Sequence, residues 1–492
     1  MKTFFLLEKS KNFWFLILTS IIFFFLRLPS FVEPYWYGDE GIYQVIGMAL
    51  IRGRLLYREI WDNKPPLLYL IYALFNSDQF AIRLVSLIFG LLSIFVFFLI
   101  AKEVFPKSKL YLFSTSFFAL LFATPLIEGN IANAENFMLL PILISAFILT
   151  KTNSYKNNVK KDFRKYKLDF IAGILLGIGY LFKIVAIFDF AAFFLFVFIS
   201  NFNKKNSFRD TVKSVFPFPL GFLVPIILTT LVFIFNGAFN DYLQATFFQN
   251  INYVSYGNSF IVPQGLLILK TVILGIFVLF LFKSRERLPK TNLFILLWLI
   301  FSLFNALFSQ RPYTHYLLVL LPSFSLMLGL LFWDKKFQKL NFILLTIALL
   351  LIIKNFSFSY AKTFLYYGNF FSFLTGTKTV RSYQAFFDTK TPIDYEIAQF
   401  IKPKITNRDY LFIWGNNAQV YKMVGSLPPG RYAVAYHITS YRDGLKDTQQ
   451  GIDKFKPKFI IAMPDQKPIP FSLLYYSKRI TIDNVDIYER VF

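Results

Sequence analysis

Apolar runs of roughly bilayer-crossing length recur through the first 358 residues, separated by short clusters of Lys and Arg, and this pattern leaves few folds open. Runs near 13–30, 79–101, 110–126, 137–150, 214–236, 263–282, 291–308, 316–333 and 341–358 each suit one helical crossing. A further run, Leu168 to Ser200, exceeds one crossing and carries Gly173, Gly177 and Gly179, then Lys183 and Asp189 in its middle. A lysine at the bilayer centre costs roughly 2.5–3.5 kcal/mol on insertion scales. Two short helices meeting near Tyr180 to Ile184 are therefore expected, which brings the crossings to eleven. The spacing of Gly173 and Gly177 suits close helix packing. A composition of 56% hydrophobic residues with 66 Phe agrees with a polytopic α-helical membrane protein.

Net charge is +24, which in a soluble chain would suggest nucleic acid; here the basic residues lie between apolar runs and act as topology determinants, so no nucleic-acid partner is expected. Segments 1–12, 102–109, 151–167, 201–213, 283–290 and 334–340 hold most of the inter-run Lys and Arg. The alternate segments 31–78, 127–136, 180–184, 237–262 and 309–315 hold few. The asymmetry predicts a cytoplasmic N-terminus in a plasma or inner membrane, with the second set outside. The first apolar run follows Lys2, Lys9 and Lys11 without a small-residue cleavage site, and reads as a retained signal anchor. The absence of cysteine excludes disulfides and thiolate chemistry.

After Phe358 the pattern becomes mixed. "YLFIWG" (410–415), "RYAVAY" (431–436) and "KFIIAM" (458–463) read as strands, with helices expected at Ala418 to Val424 and Asp447 to Phe455. The predicted organisation is a transmembrane domain, 1–358, whose first outer loop spans 31–78, and a small α/β domain on the outer face, 359–492.

Unusual polar residues concentrate in the outer loops. The first opens with Asp39 and Glu40 and continues to "WDNKPP", where the Pro-Pro step restricts Lys64 to extended backbone. The second, "IEGNIANAEN", carries Glu128 and Glu135; the third is the turn at Lys183; the last, "SQRPYTHY", carries Arg311 and His315. Carboxylates and cations on one membrane face suit transfer of a group from a lipid-borne phosphate: a carboxylate takes the proton of an attacking hydroxyl and cations stabilise the leaving phosphate. Arg311 and His315 serve equally as interfacial anchors or substrate ligands, and His437 reads as structural. Arg52, Arg54 and Arg58 are expected to meet lipid headgroups. A membrane transporter or flippase for a lipid-linked or anionic substrate is the alternative, although transporters usually place such charges near the midplane.

The stretch "DEGIYQVIGMALIRGRLLYREIWDNKPPLLY" resembles the first outer loop of bacterial GT-C glycosyltransferases of the protein O-mannosyltransferase and lipid A aminoarabinose transferase superfamily. "NAENFMLLP", "GIGYLFKIVAIF" and "QRPYTHYLLVLLPSFSLML" extend the resemblance over most of 1–333. It implies a GT-C membrane domain, a polyprenyl-phosphate sugar donor, inversion at the anomeric carbon, and an acceptor on a protein, glycolipid or polysaccharide. By this resemblance Asp39 matches the first-loop acidic residue taken as catalytic, with Glu40 beside it as the second catalytic candidate, Lys64 and Lys183 meet the donor phosphate, and Glu135 matches a second-loop acidic position. Tyr43, Arg311 and His315 complete the candidate substrate-binding residues. No cofactor is expected; a divalent metal at Glu128, Glu135 and Asp39 is not favoured, because metal-ligand spacing is lacking.

Overall fold

The computed structural model describes residues 11–106, 108–154, 163–202, 207–251, 265–333, 335–466 and 468–491. Lys2 and Lys9 lie outside the described residues, as do parts of segments 151–167, 201–213 and 237–262. The protein is mostly helical, with one small sheet near the C-terminus. Among the described residues eight helical segments are long and apolar enough to cross a membrane: Lys11–Phe31, Gln79–Val104, Ala134–Thr152, Ile184–Asn201, Phe208–Phe235, Leu266–Ser284, Lys290–Phe308 and Gln338–Asn355. This is a multi-pass membrane protein.

Three of the eleven expected crossings correspond to weaker candidates. Leu110–Ala123 and Leu321–Trp333 have 14 and 13 residues, about 20 Å of helix against about 30 Å of hydrocarbon. Phe163–Phe182 has 20 residues, but its first two turns carry Arg164, Lys165, Lys167 and Asp169.

The chain divides into two compact units, and the division is not a single cut. One unit comprises 1–28, 85–232 and 249–363; the other comprises 29–84, 233–248 and 364–492.

In the first unit, Phe163–Phe182 packs on Pro217–Phe235 through glycines. A Cβ on Gly173 would meet the Phe218 carbonyl, one on Gly177 the Phe222 carbonyl, and one on Gly221 the Phe170 carbonyl. The long apolar run breaks at Lys183, as its length and charge require. Lys183 is extended (φ −155°, ψ 130°), a short 3-10 turn Ile184–Ala186 follows, and the helix resumes at Ile187–Asn201. Asp189, on the resumed helix, is buried and accepts a 2.8 Å hydrogen bond from Trp298 Nε1.

In the second unit, helix Gly38–Ile51 begins with Asp39 and Glu40 in its first turn, where the helix dipole favours acid. It ends because Gly53 adopts φ 79°: the Gly53 N–H bonds Leu50 O and the Arg54 N–H bonds Ala49 O, the paired bonds of a Schellman stop. Helix Pro66–Leu74 starts on a proline, which needs no intrahelical donor at that position.

The C-terminal sheet has the order β1-β2-β4-β3, with β1 Leu411–Trp414, β2 Phe459–Ala462, β3 Tyr476–Ile482 and β4 Val485–Arg490. β1 and β2 are parallel; β4 is antiparallel to both β2 and β3. Every residue of β1 and β2 is buried, as a covered parallel pair requires. "RYAVAY" is not a strand. Its Arg431 carbonyl accepts from Trp61 N, its Ala435 N–H goes to Gly415 O, and helix Ala435–Ser440 begins there, so its backbone groups are committed elsewhere. The hairpin of β3 and β4 escapes the sequence reading.

The first loop is tied to this C-terminal segment. Arg52 donates to Gly425 O, and Arg54 to Pro428 O and Gly430 O. Arg58 pairs with Asp241 at 2.9 Å. These three arginines bond protein carbonyls and a carboxylate. Gly41 lies against the backbone of Gln419, whose N would be 2.7 Å from an added Cβ.

Candidate functional site

Two polar clusters hold the residues singled out from sequence, one in each unit. The first is built on the start of helix Gly38–Ile51 and on "WDNKPP". Asp39, with 38% of its side chain exposed, accepts a 3.0 Å hydrogen bond from the Tyr43 hydroxyl one turn later. Lys64 Nζ stands 3.6 Å from Asp39 Oδ2 and 3.7 Å from Asp62 Oδ2, and 4.8 Å from the centre of the Tyr43 ring. Tyr43 is itself buried between Tyr69 and Tyr72, so it presents its hydroxyl to Asp39 and its face to Lys64.

The backbone of Lys64 is fixed from both sides. Its carbonyl accepts from Tyr57 Oη at 2.8 Å, and its N–H donates to Tyr69 Oη at 3.2 Å. Tyr57 holds φ at 69°, a conformation that costs a bulky residue about 1–3 kcal/mol. Burial of its ring against Phe233 and Tyr242 sustains it.

Asp62 lies beneath Lys64, with 2% of its side chain exposed. It accepts a 2.6 Å hydrogen bond from Tyr69 Oη, and His437 Nε2 approaches its other oxygen to 3.8 Å. Burial and the neighbouring Asp62 push the Tyr69 phenol well up. Burial outweighs Asp62 at His437 and brings its imidazole down to about 4. His437 is fully enclosed, with Trp61 and Tyr436 rings at 5.0 and 4.2 Å. Neither Asp62 nor His437 was expected here. The extended backbone before Pro-Pro offers a signal for Asp62, since residues two apart in an extended segment share a face. No local signal could bring His437, some 370 residues on, to it.

Glu40 turns the other way. It is buried, and Arg83 grips it with Nη2 to Oε2 at 2.6 Å and Nε to Oε1 at 3.3 Å. Arg83 also pairs with Glu33 at 2.9 Å, and Glu33 accepts from Trp36 Nε1 at 2.8 Å and Tyr366 Oη at 2.5 Å. Glu40 thus anchors the helix that carries Asp39, and its carboxylate is committed to Arg83.

The second cluster, in the helical unit, joins Glu128, Glu135, Lys183 and His315. Lys183, at the helix break, forms an ion pair with buried Glu135 and lies 4.5 Å above the Tyr316 ring. Glu128 accepts from Thr314 Oγ1 at 2.8 Å, and His315 Nδ1 is 3.0 Å from its other oxygen. His315 Nε2 lies 3.9 Å from Glu135. Arg311 is partly buried on the segment just before the turn Thr314–Leu318. Among the described residues no group of three or more His, Asp or Glu could hold a metal ion.

A family model described as dolichyl-phosphate-mannose-protein mannosyltransferase matches residues 64–233. No curated protein matches the chain in sequence. In structure the chain resembles ArnT from Cupriavidus metallidurans, solved bound to undecaprenyl phosphate, with a TM-score of 0.56, 13% identity, 97% of this chain covered and 98% of that one. It also resembles the Archaeoglobus fulgidus oligosaccharyltransferase, solved with Zn and sulfate, with a TM-score of 0.50, 14% identity, and 91% and 67% of the two chains covered. The chain shares its fold with these two membrane proteins.

Proposed function

We propose that the chain is an integral-membrane glycosyltransferase that moves a sugar from a polyprenyl-phosphate donor to an acceptor hydroxyl, with inversion at the anomeric carbon. The observation that carries this reading is the pairing of a partly exposed carboxylate, Asp39, with Lys64 at 3.6 Å on a backbone fixed by Pro65 and Pro66. Asp39 takes the proton of the acceptor hydroxyl as its oxygen attacks the anomeric carbon. The bond from that carbon to the phosphate oxygen breaks, and the departing lipid phosphate gains a negative charge. Lys64 stabilises that charge, and Lys183 is the second lysine we assign to the donor phosphate. Glu135 holds Lys183 in place, while Glu40 orients the Asp39 helix and does not react. Arg311, His315 and Tyr43 border the substrate. The undecaprenyl phosphate of the ArnT structure supports a polyprenyl-phosphate donor, and the charge asymmetry supports an outer-face reaction in a cell membrane with the N-terminus cytoplasmic. The acceptor is a protein, a glycolipid or a polysaccharide of the cell envelope.

The test is reconstitution of the purified chain with undecaprenyl-phosphate sugars and an envelope extract, following release of undecaprenyl phosphate. Release by the wild type and a loss of about 100-fold or more in Asp39→Asn support the reading. Movement of the lipid across the bilayer without any glycosyl product would support a flippase instead.

A further inference from the structure

Asp62 has no task in the transfer just described, yet it is a buried carboxylate beside the lysine assigned to the donor phosphate. A buried carboxylate carries a large desolvation penalty unless it is paired and hydrogen-bonded. Asp62 is held by the Tyr69 hydroxyl at 2.6 Å, and its cationic neighbour, Lys64, stands off at 3.7 Å. Lys64 is nearly equidistant from Asp39, at 3.6 Å. Both separations exceed the 2.7–2.9 Å typical of a charge-assisted N–H to carboxylate bond.

Among the described residues, Asp39 and Tyr43 from helix Gly38–Ile51 and Asp62 from its own loop are groups that face Lys64 Nζ. Tyr69 of helix Pro66–Leu74 and His437 of the C-terminal segment reach Asp62 from behind. Asp39 and Asp62 set two carboxylates against the one Lys64 ammonium, and His437 adds no charge at neutral pH. An incoming phosphate is therefore met by a lysine whose field two carboxylates already oppose.

That balance matters after transfer rather than before it. The donor phosphate is a diester; the product is a monoester with a further ionisable oxygen, which a bare lysine would hold harder than the donor. We infer that Asp62 is a positioning residue that holds Lys64 between two carboxylates and weakens its grip on the spent lipid phosphate, so that the product leaves. The inference rests on the proposed role of Lys64 as a phosphate contact.

The experiment measures binding of undecaprenyl phosphate to the purified full-length protein in detergent at pH 7 by titration. Asp62→Asn removes one charge from the set and should tighten binding by about tenfold, while Asp62→Glu should keep wild-type affinity. Damage to the fold would weaken binding, so the sign separates the two roles. Asp62→Ser, which makes the same charge change, serves if Asp62→Asn does not fold. Unchanged or weaker binding in a folded Asp62→Asn or Asp62→Ser variant overturns the inference. In the Lys64→Ala background the effect of Asp62→Asn should vanish; its persistence there would also overturn it. If Lys64→Ala alone leaves undecaprenyl phosphate binding intact, the phosphate role of Lys64 fails instead.

Discussion

The substitution Arg83→Met strips the shared counter-charge from two buried carboxylates, and its cost can be worked from the structure. Arg83, Glu33 and Glu40 are all buried, and the guanidinium makes charged contacts of 2.9 and 2.6 Å to the two carboxylates. Removing one partner of such a buried pair costs about 3–5 kcal/mol, because the remaining charge stays desolvated. For a unit of this size that corresponds to a fall in melting temperature of about 6–20 °C. Trp36, whose indole donates to Glu33 at 2.8 Å, provides a fluorescence signal for thermal unfolding in detergent. The deficit should also depend on pH. Carboxylates left unpaired in the folded variant bind protons more readily there than in the unfolded chain, so the variant recovers stability as pH falls and loses it as pH rises. Adding Glu33→Gln and Glu40→Gln to Arg83→Met should restore most of the loss, since the stranded charges are gone. A loss of less than about 1 kcal/mol, or a deficit equal at pH 5 and pH 8, would refute the reasoning.

Gly41→Val should destabilise the same unit, because the added Cβ would stand 2.7 Å from the Gln419 backbone nitrogen; a melting temperature equal to wild type would contradict the packing. His437 binds a proton near pH 4 when folded and at its ordinary 6.5 when unfolded. The unfolded chain therefore holds more protons between those values, and stability should fall by about 3 kcal/mol as pH drops from 6.5 to 4. His437→Phe should flatten that slope in melting curves taken across the window. Lys183→Ala leaves Glu135 buried without its ammonium, and the pair Lys183→Ala with Glu135→Gln should be the more stable of the two variants in thermal unfolding.

The helices were legible because apolar length and flanking charge act locally. The break at Lys183 followed from the same reasoning, since a mid-run lysine needs a turn or a partner, and it has both. The C-terminal strands were legible only in part. β1 and β2 are continuous apolar runs, whereas β3 is largely exposed and in "YSKRITI" Lys478 interrupts the alternation of Tyr476, Ile480 and Ile482. The candidate site was harder to read. Asp39 and Lys64 stood out by residue type and by the proline step. The difference between Asp39 and its neighbour Glu40 was invisible, because adjacent positions on a helix face different ways and only the tertiary partner, Arg83, tells them apart. The protein partners of Arg52, Arg54 and Arg58 were invisible for the same reason: Gly425, Pro428, Gly430 and Asp241 are remote in sequence.

Glycan and glycoprotein profiles of the cell envelope, compared by mass spectrometry with and without this protein, test the glycosyltransferase reading most directly. One sugar should disappear from one class of acceptor when the protein is absent, the wild-type chain should restore it, and Asp39→Asn, expressed to the same level, should not. An unchanged profile, or full restoration by Asp39→Asn, would contradict that reading.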